Sequence, residues 1–253
     1  MLPSTKIAVI SLLERQAFIS AVGPLFDAAR MKSLKIAVSG GSILPILAEF
    51  FQSLPGSSNE KTLLSVAMAD ERIAIPFDEC AGQINGLQAK KLFPSSIAII
   101  QVPQSSPALK DISIIAQAYD HLVCEQLGNN SFDFIFLGVG PDGHCASLFP
   151  EASDMGQFSP CAFIPVFNSP KPPPNRISLS ISAIASAEYV IFIVPHSTEK
   201  EAFVCQLEKL LSDPISGIPA PFPAIRVTQQ RSALGKKTLW ILDSKFSKFI
   251  HSS

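Results

Sequence analysis

One stretch of the chain, residues 132–150, reads FDFIFLGVGPDGHCASLFP. Its first part, residues 132–139, is almost continuously apolar, which is typical of a strand that is buried on both faces of a parallel sheet. Its second part carries glycine, proline, aspartate and histidine, residue types found in loops and in proton-transfer sites. The stretch therefore predicts a central strand whose carboxyl end opens into a candidate functional loop.

Strand-like and helix-like segments alternate on both sides of this stretch. Short apolar runs predict further strands at residues 34–38, 63–68, 97–102, 162–167, 177–181, 189–194 and 238–242. Helical spacing predicts helices at residues 12–29, 45–51, 109–127 and 199–211. Because strands separated by helices imply βαβ units, we predict a three-layer α/β fold with a mainly parallel, Rossmann-like sheet flanked by helices on both faces. Residues 1–253 are expected to form a single domain.

The composition of the chain argues against two classes of partner. Its 253 residues carry a formal net charge of −1, so there is no basic excess to attract nucleic acid or an anionic membrane surface. No apolar stretch is long enough to span a membrane, and Glu14 and Arg15 end the apolar run near the N-terminus too early for a signal peptide. The five cysteines are scattered without a C-x-x-C pair or zinc-ligand spacing. A reduced, cytoplasmic location and a monomer or weak homo-oligomer are expected.

The loop after the predicted strand 34–38 is rich in glycine and serine. It consists of Ser39, Gly40, Gly41 and Ser42, and Pro45 stands where the next helix would begin. Glycines let the backbone come close to a ligand, and free N–H groups at a helix N-terminus favour a phosphate. The loop is therefore a candidate phosphate site, although an ordinary tight turn would have the same composition.

Basic side chains lie at or near the ends of other predicted strands. Arg72 follows Asp70 and Glu71, Arg176 follows a cluster of prolines, and Lys200 lies in the first turn of a helix, where it opposes the helix dipole. Because the carboxyl ends of parallel strands share one edge of the sheet, these cations could converge on one anion. The alternative is that Arg72 lies in a solvated, charged turn.

The loop after the central strand holds an aspartate and a histidine two residues apart. His144 can take up and return a proton near neutral pH, and Asp142 can fix its tautomer, as in hydrolase triads. The alternative is a histidine with a capping or core position. Cys145 is a weaker candidate nucleophile because adjacent residues rarely point toward each other, and Ser147 lacks the sequence of a nucleophile elbow.

Several short motifs occur in a fixed order and together resemble the 6-phosphogluconolactonase family. They are Ser39-Gly40-Gly41-Ser42, Ala69-Asp70-Glu71-Arg72, LGVGPDGH at residues 137–144, SLFP at residues 147–150, Lys171-Pro172-Pro173 with Arg176, and Lys200. The resemblance extends from about residue 12 to residue 243. The related glucosamine-6-phosphate deaminases usually continue Asp-Gly-His with Phe-Asn-Glu-Pro, and this chain does not.

The chain also departs from the family pattern at a few positions. Ile43-Leu44 stands where the family has a single threonine, so the glycine-rich loop gains a residue and loses a hydroxyl. Cys145 replaces the usual threonine after the histidine. The family's Ser-Asn pair has its nearest counterpart in Ile84-Asn85.

The resemblance implies an activity and a role for each motif. It implies hydrolysis of 6-phosphoglucono-δ-lactone to 6-phosphogluconate, the second step of the oxidative pentose phosphate pathway, with this small sugar-phosphate lactone as the partner. The groups that would hold the 6-phosphate are Arg72, Arg176, Lys200 and the N–H groups near Gly40 and Gly41. His144 would act as the general base on water, supported by Asp142, and would return the proton to the ring oxygen. No metal and no organic cofactor is expected, since the lactone is already activated.

Two other functions fit the same residues. One is an aldose–ketose isomerase and deaminase acting on an amino-sugar phosphate, and the other is a sugar-phosphate sensor that binds without turnover. The intact pair of Asp142 and His144 argues against the sensor. Side-by-side assays of lactone hydrolysis and ammonia release separate all three.

Overall fold

The computed structural model describes residues 4–28, 34–55, 64–73, 82–103, 111–128, 131–150, 162–212 and 221–250. The strands in these ranges are β1 Thr5–Ile10, β2 Ile36–Val38, β3 Leu64–Met68, β4 Asp70–Arg72, β5 Ile97–Ile100, β6 Phe134–Gly138, β7 Phe163–Val166, β8 Arg176–Leu179, β9 Tyr189–Val194 and β10 Thr238–Asp243. The α-helices are α1 Arg15–Ala28, α2 Leu44–Ser53, α3 Asn85–Leu92, α4 Ile112–Leu127, α5 Ile181–Ser186, α6 Thr198–Ser212 and α7 Pro223–Ala233.

Seven of these strands form one parallel sheet in the order β1-β10-β9-β6-β2-β3-β5. The predicted α/β fold with a mainly parallel sheet is confirmed, and the central strand of the sequence prediction is β6. β2 and β6 are neighbours at the point where the strand order reverses. Such a switch point leaves a crevice between the loops that follow the two strands, which is where ligands bind in open α/β sheets.

The two faces of the sheet bury two separate hydrophobic cores. Along β6, Phe134 and Phe136 face the core formed with α1, α2 and α3, whereas Ile135 and Leu137 face the core formed with α4, α6 and α7. All four side chains are fully buried. This alternation explains why the strand is apolar at every position, since successive side chains of a strand point to opposite faces.

A second, antiparallel sheet of three strands in the order β4-β8-β7 was not predicted. Its strand β4 consists of the three charged residues Asp70, Glu71 and Arg72, for which a solvated turn was the alternative to an anion-binding role. The solvated turn is wrong, because Asp70 pairs with Ser178 and Arg72 pairs with Arg176 across β8. Asp70 and Glu71 are buried, so this charged segment belongs to the interior of the protein.

Several other elements lacked a clear sequence signal. The helices α3, α5 and α7 were not predicted, and neither was the strand β1. In α7 the reason is Arg231, which is fully buried and donates hydrogen bonds to the carbonyl oxygens of Ala185, Ala187, Glu188 and Lys237. A buried arginine breaks the apolar pattern by which a helix is recognised.

The boundaries of the predicted helices shift where local hydrogen bonds set them. α4 begins at Ile112 because the side chain of Asp111 caps it and accepts a hydrogen bond from the N–H of Ser113 at 2.8 Å. The predicted boundary residues 29, 63, 109 and 110 lie outside the described residues. Within the ranges given above, no helix is both long and apolar enough to cross a membrane.

Candidate active site

A cavity of about 190 Å³ opens at the carboxyl edge of the parallel sheet, beside the switch point between β2 and β6. Most of the residues predicted from sequence line it, namely Ser39, Gly40, Gly41, Ser42, Arg72, His144, Arg176 and Lys200. Asp142 does not line the cavity, but it is hydrogen-bonded to His144, which does. A larger cavity of about 370 Å³, bounded by the amino ends of β9 and β10, is lined by neither histidine nor acidic residues.

His144 stands at the centre of a small charged group. Its Nδ1 is hydrogen-bonded to Oδ1 of Asp142, and Nζ of Lys171 lies 3.6 Å from the other oxygen of that carboxylate. Burial alone would raise the pKa of Asp142, but the hydrogen bond from His144 and the charge of Lys171 hold it well below its usual range. Because an ionised carboxylate only accepts, Nδ1 donates this hydrogen bond, and in the neutral form of the ring the lone pair then lies on Nε2.

The turn that carries His144 is closed by its own backbone. The N–H of Gly140 donates to the carbonyl of His144 at 2.9 Å, and the N–H of Gly143 donates to the carbonyl of Gly140 at 3.0 Å. The imidazole packs against Gly140, where an added Cβ would lie 2.0 Å from Cε1 of the ring. On another side the ring of Phe149 lies 4.9 Å away, centroid to centroid. Gly140 and Phe149, which belong to the motifs at residues 137–144 and 147–150, thus fix the position of His144.

Two arginines stand side by side at the rim of the small sheet. Arg72 and Arg176 are direct partners across β4 and β8. Nη1 of Arg72 donates to the carbonyl of Gln83 at 2.7 Å, whereas its buried Nε has no partner among the described residues. Like charges on opposite strand positions repel each other, so the pair favours an anion in the cavity that both residues line.

Arg176 is itself almost fully buried and holds the proline-rich loop. Its guanidinium donates to the carbonyl oxygens of Lys171 at 2.8 Å, Pro172 at 3.1 Å and Pro173 at 3.1 Å. Burial lowers the pKa of Arg176, and the charge of Arg72 lowers it further. Arg176 therefore positions the loop that carries Lys171 as well as facing the cavity.

Lys200 approaches the cavity from the first turn of α6. Its Nζ donates to the carbonyl of Pro195 at 3.3 Å, which leaves further donors of the ammonium group for a ligand. Burial lowers the pKa of Lys200, and Lys171 adds to this effect while Glu199 opposes it. A cation in the first turn of a helix and partly removed from water gains from an anionic ligand.

The glycine-rich loop follows β2 and leads into α2, and its first residue is hydrogen-bonded to the neighbouring strand β6. The N–H of Ser39 donates to the carbonyl of Phe136, and its hydroxyl accepts from the N–H of Gly138, both at 2.9 Å. A short 3₁₀ turn over Gly41–Ile43 then leads directly into α2, and no side chain caps its first N–H groups. These N–H groups are suited to an anion. Ile43, at the departure from the family pattern, is fully buried.

The chain resembles known proteins over most of its length. The family model described as glucosamine-6-phosphate isomerases/6-phosphogluconolactonase matches residues 20–240. The chain belongs to this family. The 6-phosphogluconolactonase of Bos taurus is 30% identical to it over 220 residues, which are 85% of this chain and 80% of the bovine protein. A relative from Caenorhabditis elegans is 35% identical over 169 residues, which are 64% of this chain and 61% of that protein.

Solved structures of the family share the fold. The 6-phosphogluconolactonase from Trypanosoma cruzi superimposes with a TM-score of 0.75 at 23% sequence identity, covering 98% of this chain and 97% of that one. At this identity the likeness concerns the fold. The family's layered architecture is therefore present, and the roles of individual side chains rest on the contacts described above.

Neither alternative nucleophile is placed for attack. Cys145 is fully buried, and burial, with Asp70 adding to it, raises the pKa of its thiol, so the thiolate form is disfavoured. Ser147 is also buried, and its hydroxyl donates to Oδ2 of Asp70 at 2.7 Å. His144, unlike Cys145 and Ser147, lines the cavity.

Two residues near the cavity had no role assigned from the sequence. Lys171 was noted only beside the proline cluster, yet its Nζ lies 3.3 Å from Nδ1 of His144. Asn85 was only an uncertain counterpart of the family's Ser-Asn pair, yet it lines the cavity and is 1% exposed. The partial match to that pair was the one signal in the sequence that pointed to Asn85.

Proposed function

We propose that this protein hydrolyses 6-phosphoglucono-δ-lactone to 6-phosphogluconate. The observation that carries the proposal is the convergence, on one cavity, of the His144–Asp142 pair and three cationic side chains. A general base and a phosphate site in one pocket suit the hydrolysis of a phosphorylated ester. The family and the name of the bovine relative point to the same reaction.

The cations hold and orient the substrate. Arg72, Arg176 and Lys200 bind the 6-phosphate, together with N–H groups near Gly40 and Gly41. The chain as a whole has a net charge of −1, so this recognition depends on these few side chains rather than on a basic surface. The lactone carbonyl is thereby directed toward His144.

His144 carries out the proton transfers. Its Nε2 takes a proton from a water molecule as the water oxygen bonds to the lactone carbonyl carbon. The resulting tetrahedral intermediate collapses, the bond to the ring oxygen breaks, and His144 returns the proton to that oxygen. The product acid then ionises in solution. Asp142 holds the tautomer and stabilises the charged ring, and general acid–base help of this kind contributes roughly 10²–10⁴-fold.

The remaining expectations from the sequence belong to the same proposal. The reaction as written uses no metal and no organic cofactor. We also propose that residues 1–253 act as one domain in the cytoplasm, as a monomer or weak homo-oligomer that binds no nucleic acid.

Turnover assays with matched substrates test the proposal. We expect the wild-type protein to hydrolyse the phosphorylated lactone well above the spontaneous rate, and to release no ammonia from glucosamine 6-phosphate. Arg72→Lys should lose nearly as much as Arg72→Ala, because a bidentate contact to phosphate has a geometry that lysine cannot reproduce. Each loss should be about ten- to a hundredfold, which corresponds to a charge-assisted hydrogen bond of roughly 1.5–3 kcal/mol.

Unphosphorylated gluconolactone is the control substrate. Its turnover should be poor in the wild type and nearly unchanged in the Arg72 and Lys200 variants. Equal losses on both lactones would mean that these side chains support the fold or the chemistry, and the phosphate site would be wrong. Ammonia release without lactone hydrolysis would replace the proposed function by the deaminase reaction.

A further inference from the structure

The wall of the cavity contains a buried hydrogen-bond acceptor with no partner among the described residues. This acceptor is Oδ1 of Asn85. The other end of the same amide, Nδ2, donates to the carbonyl of Asp70 at 3.0 Å, which fixes the orientation of the side chain, because a flipped amide would set oxygen against oxygen. Buried polar atoms are nearly always paired, so an unpaired one beside a cavity calls for a ligand that supplies a donor.

Asn85 is held in place by a carboxylate beneath it. Glu71 is 1% exposed and accepts three backbone hydrogen bonds, from Arg72 at 2.9 Å, from Asn85 at 2.6 Å and from Gly86 at 2.7 Å. This arrangement joins the end of β4 to the first turn of α3. The position of the Asn85 side chain is therefore set before any ligand arrives.

The glycine-rich loop leaves room for this side chain. An ideal Cβ on Gly40 would lie 1.9 Å from Oδ1 of Asn85. The backbone of Gly40 has φ −78° and ψ −167°, a conformation open to any residue, so the close approach of Asn85 is what disfavours a side chain at this position. The phosphate loop and Asn85 thus form one continuous wall.

We propose that Asn85 is a specificity-determining residue that accepts a hydrogen bond from a ring hydroxyl of the sugar lactone. This inference rests on the proposed function. An amide oxygen needs a donor, and a phosphate dianion, a lactone carbonyl and a ring oxygen have none, whereas each ring hydroxyl has one. The cations then recognise the phosphate, and Asn85 recognises the sugar.

A series of deoxy substrates tests the assignment. The 2-, 3- and 4-deoxy forms of the phosphorylated lactone are compared with the parent in the wild type and in Asn85→Ala. In the wild type we expect kcat/KM for one deoxy form to be about tenfold lower than for the parent lactone, which is the size of one hydrogen bond. In Asn85→Ala we expect equal kcat/KM for that deoxy form and the parent. Gln101→Ala is the matched control. Gln101 donates to the carbonyl of Gly86 at 3.2 Å but does not line the cavity, so its variant should keep the wild-type discrimination.

A second variant covers the case in which Asn85→Ala does not fold. In Gly40→Ala the added methyl group would overlap the amide of Asn85 and must displace it, so this variant should lose the discrimination at the same hydroxyl. The inference is overturned if the wild type discriminates against none of the three deoxy lactones, or if both variants discriminate as the wild type does.

Binding measurements separate this inference from the proposed function. Calorimetry with 6-phosphogluconate needs no turnover, and we expect binding to Asn85→Ala to be about tenfold weaker than to the wild type. Equal binding by both proteins contradicts the role of Asn85 even if hydrolysis is normal. Absence of hydrolysis with weakened binding in the variant would instead contradict the proposed reaction and leave the role of Asn85 supported.

Discussion

Replacing Gly140 with alanine tests whether the tight turn sets the position of the His144 ring. An ideal Cβ at this position would lie 2.0 Å from Cε1 and 2.1 Å from Nδ1 of His144, and 2.7 Å from Oδ1 of Asp142. The ring must therefore move by about 1.4 Å to reach an ordinary contact of 3.4 Å, and it then leaves Asp142. Misplacing a catalytic group by ~1 Å costs roughly 10²-fold in rate.

We expect Gly140→Ala to lose about 10²-fold in kcat/KM for the phosphorylated lactone while the protein stays folded. The backbone of Gly140 does not lie in the left-handed region, so alanine adds no strain of its own. The assay follows acid release after subtraction of the spontaneous reaction, with unfolding by urea measured in parallel. His144→Ala sets the scale, because it removes the whole of the proposed general-base contribution, roughly 10²–10⁴-fold.

Gly235→Ala is the matched control for this prediction. Gly235 has φ +69°, a strained conformation for alanine, but among the described residues no atom beyond its chain neighbours lies within 4 Å of its ideal Cβ, and it does not line the cavity. That variant should lose roughly 1 kcal/mol of stability and keep its activity. If Gly140→Ala keeps more than about a tenth of the wild-type rate, well above the value expected for a displaced base, the reasoning is refuted.

Three further predictions concern buried or charged groups near the site. Cys145→Ala should keep nearly full activity, because the buried thiol is not the nucleophile; a folded but inactive variant in the same assay would contradict this. Lys171→Met should lower kcat/KM about two- to fivefold with Lys171→Arg as control, since its ion pair with Asp142 is partly exposed and such pairs contribute roughly 0.2–1 kcal/mol; a hundredfold loss would place Lys171 in the chemistry itself. Burial, opposed by three backbone hydrogen bonds, raises the pKa of Glu71 from 4.5 to about 7. Between these two pH values the folded protein keeps a proton that the unfolded chain has already released. The free energy of unfolding should therefore fall by about 3 kcal/mol as the pH rises from 4.5 to about 7. Urea unfolding at about pH 5 and about pH 8 should show this fall in the wild type and not in Glu71→Gln. An equal change in the free energy of unfolding with pH in both proteins would contradict the prediction.

The sequence predicted the parts of the fold in which local pattern and tertiary burial agree. Residues 134–138 are apolar because both faces of β6 are covered, and that pattern can be recognised without knowledge of the neighbours. α7 could not be recognised in this way, because its buried Arg231 is stabilised largely by the carbonyl groups of Ala185, Ala187 and Glu188, which precede it by more than forty residues in the sequence. The charged strand β4 has the same difficulty, since its ladder partner β8 follows about a hundred residues later.

In the candidate site, too, some residues could be predicted from the local sequence and others could not. His144 and Asp142 lie within one turn, so their proximity follows from spacing. The gathering of Arg72, Arg176 and Lys200 could be expected only from the rule that strand ends share an edge, and all three residues line one cavity. No such rule exists for Asn85, because its position depends on the buried carboxylate of Glu71 and on the lack of a side chain at Gly40.

The pairing of Arg72 with Arg176 across the small sheet also affects the stability of the protein. These two cations repel each other, and burial adds to the cost of the Arg176 charge, so their pairing costs stability that a bound anion would restore. A neutral residue at position 72 would relieve the repulsion and weaken the proposed binding of an anion, whereas one at position 176 would also lose three hydrogen bonds to the proline-rich loop. At position 72, the stability of the fold and the proposed recognition of an anion therefore favour different residues. At position 176 one arginine serves both, because it holds the proline-rich loop and also lines the cavity.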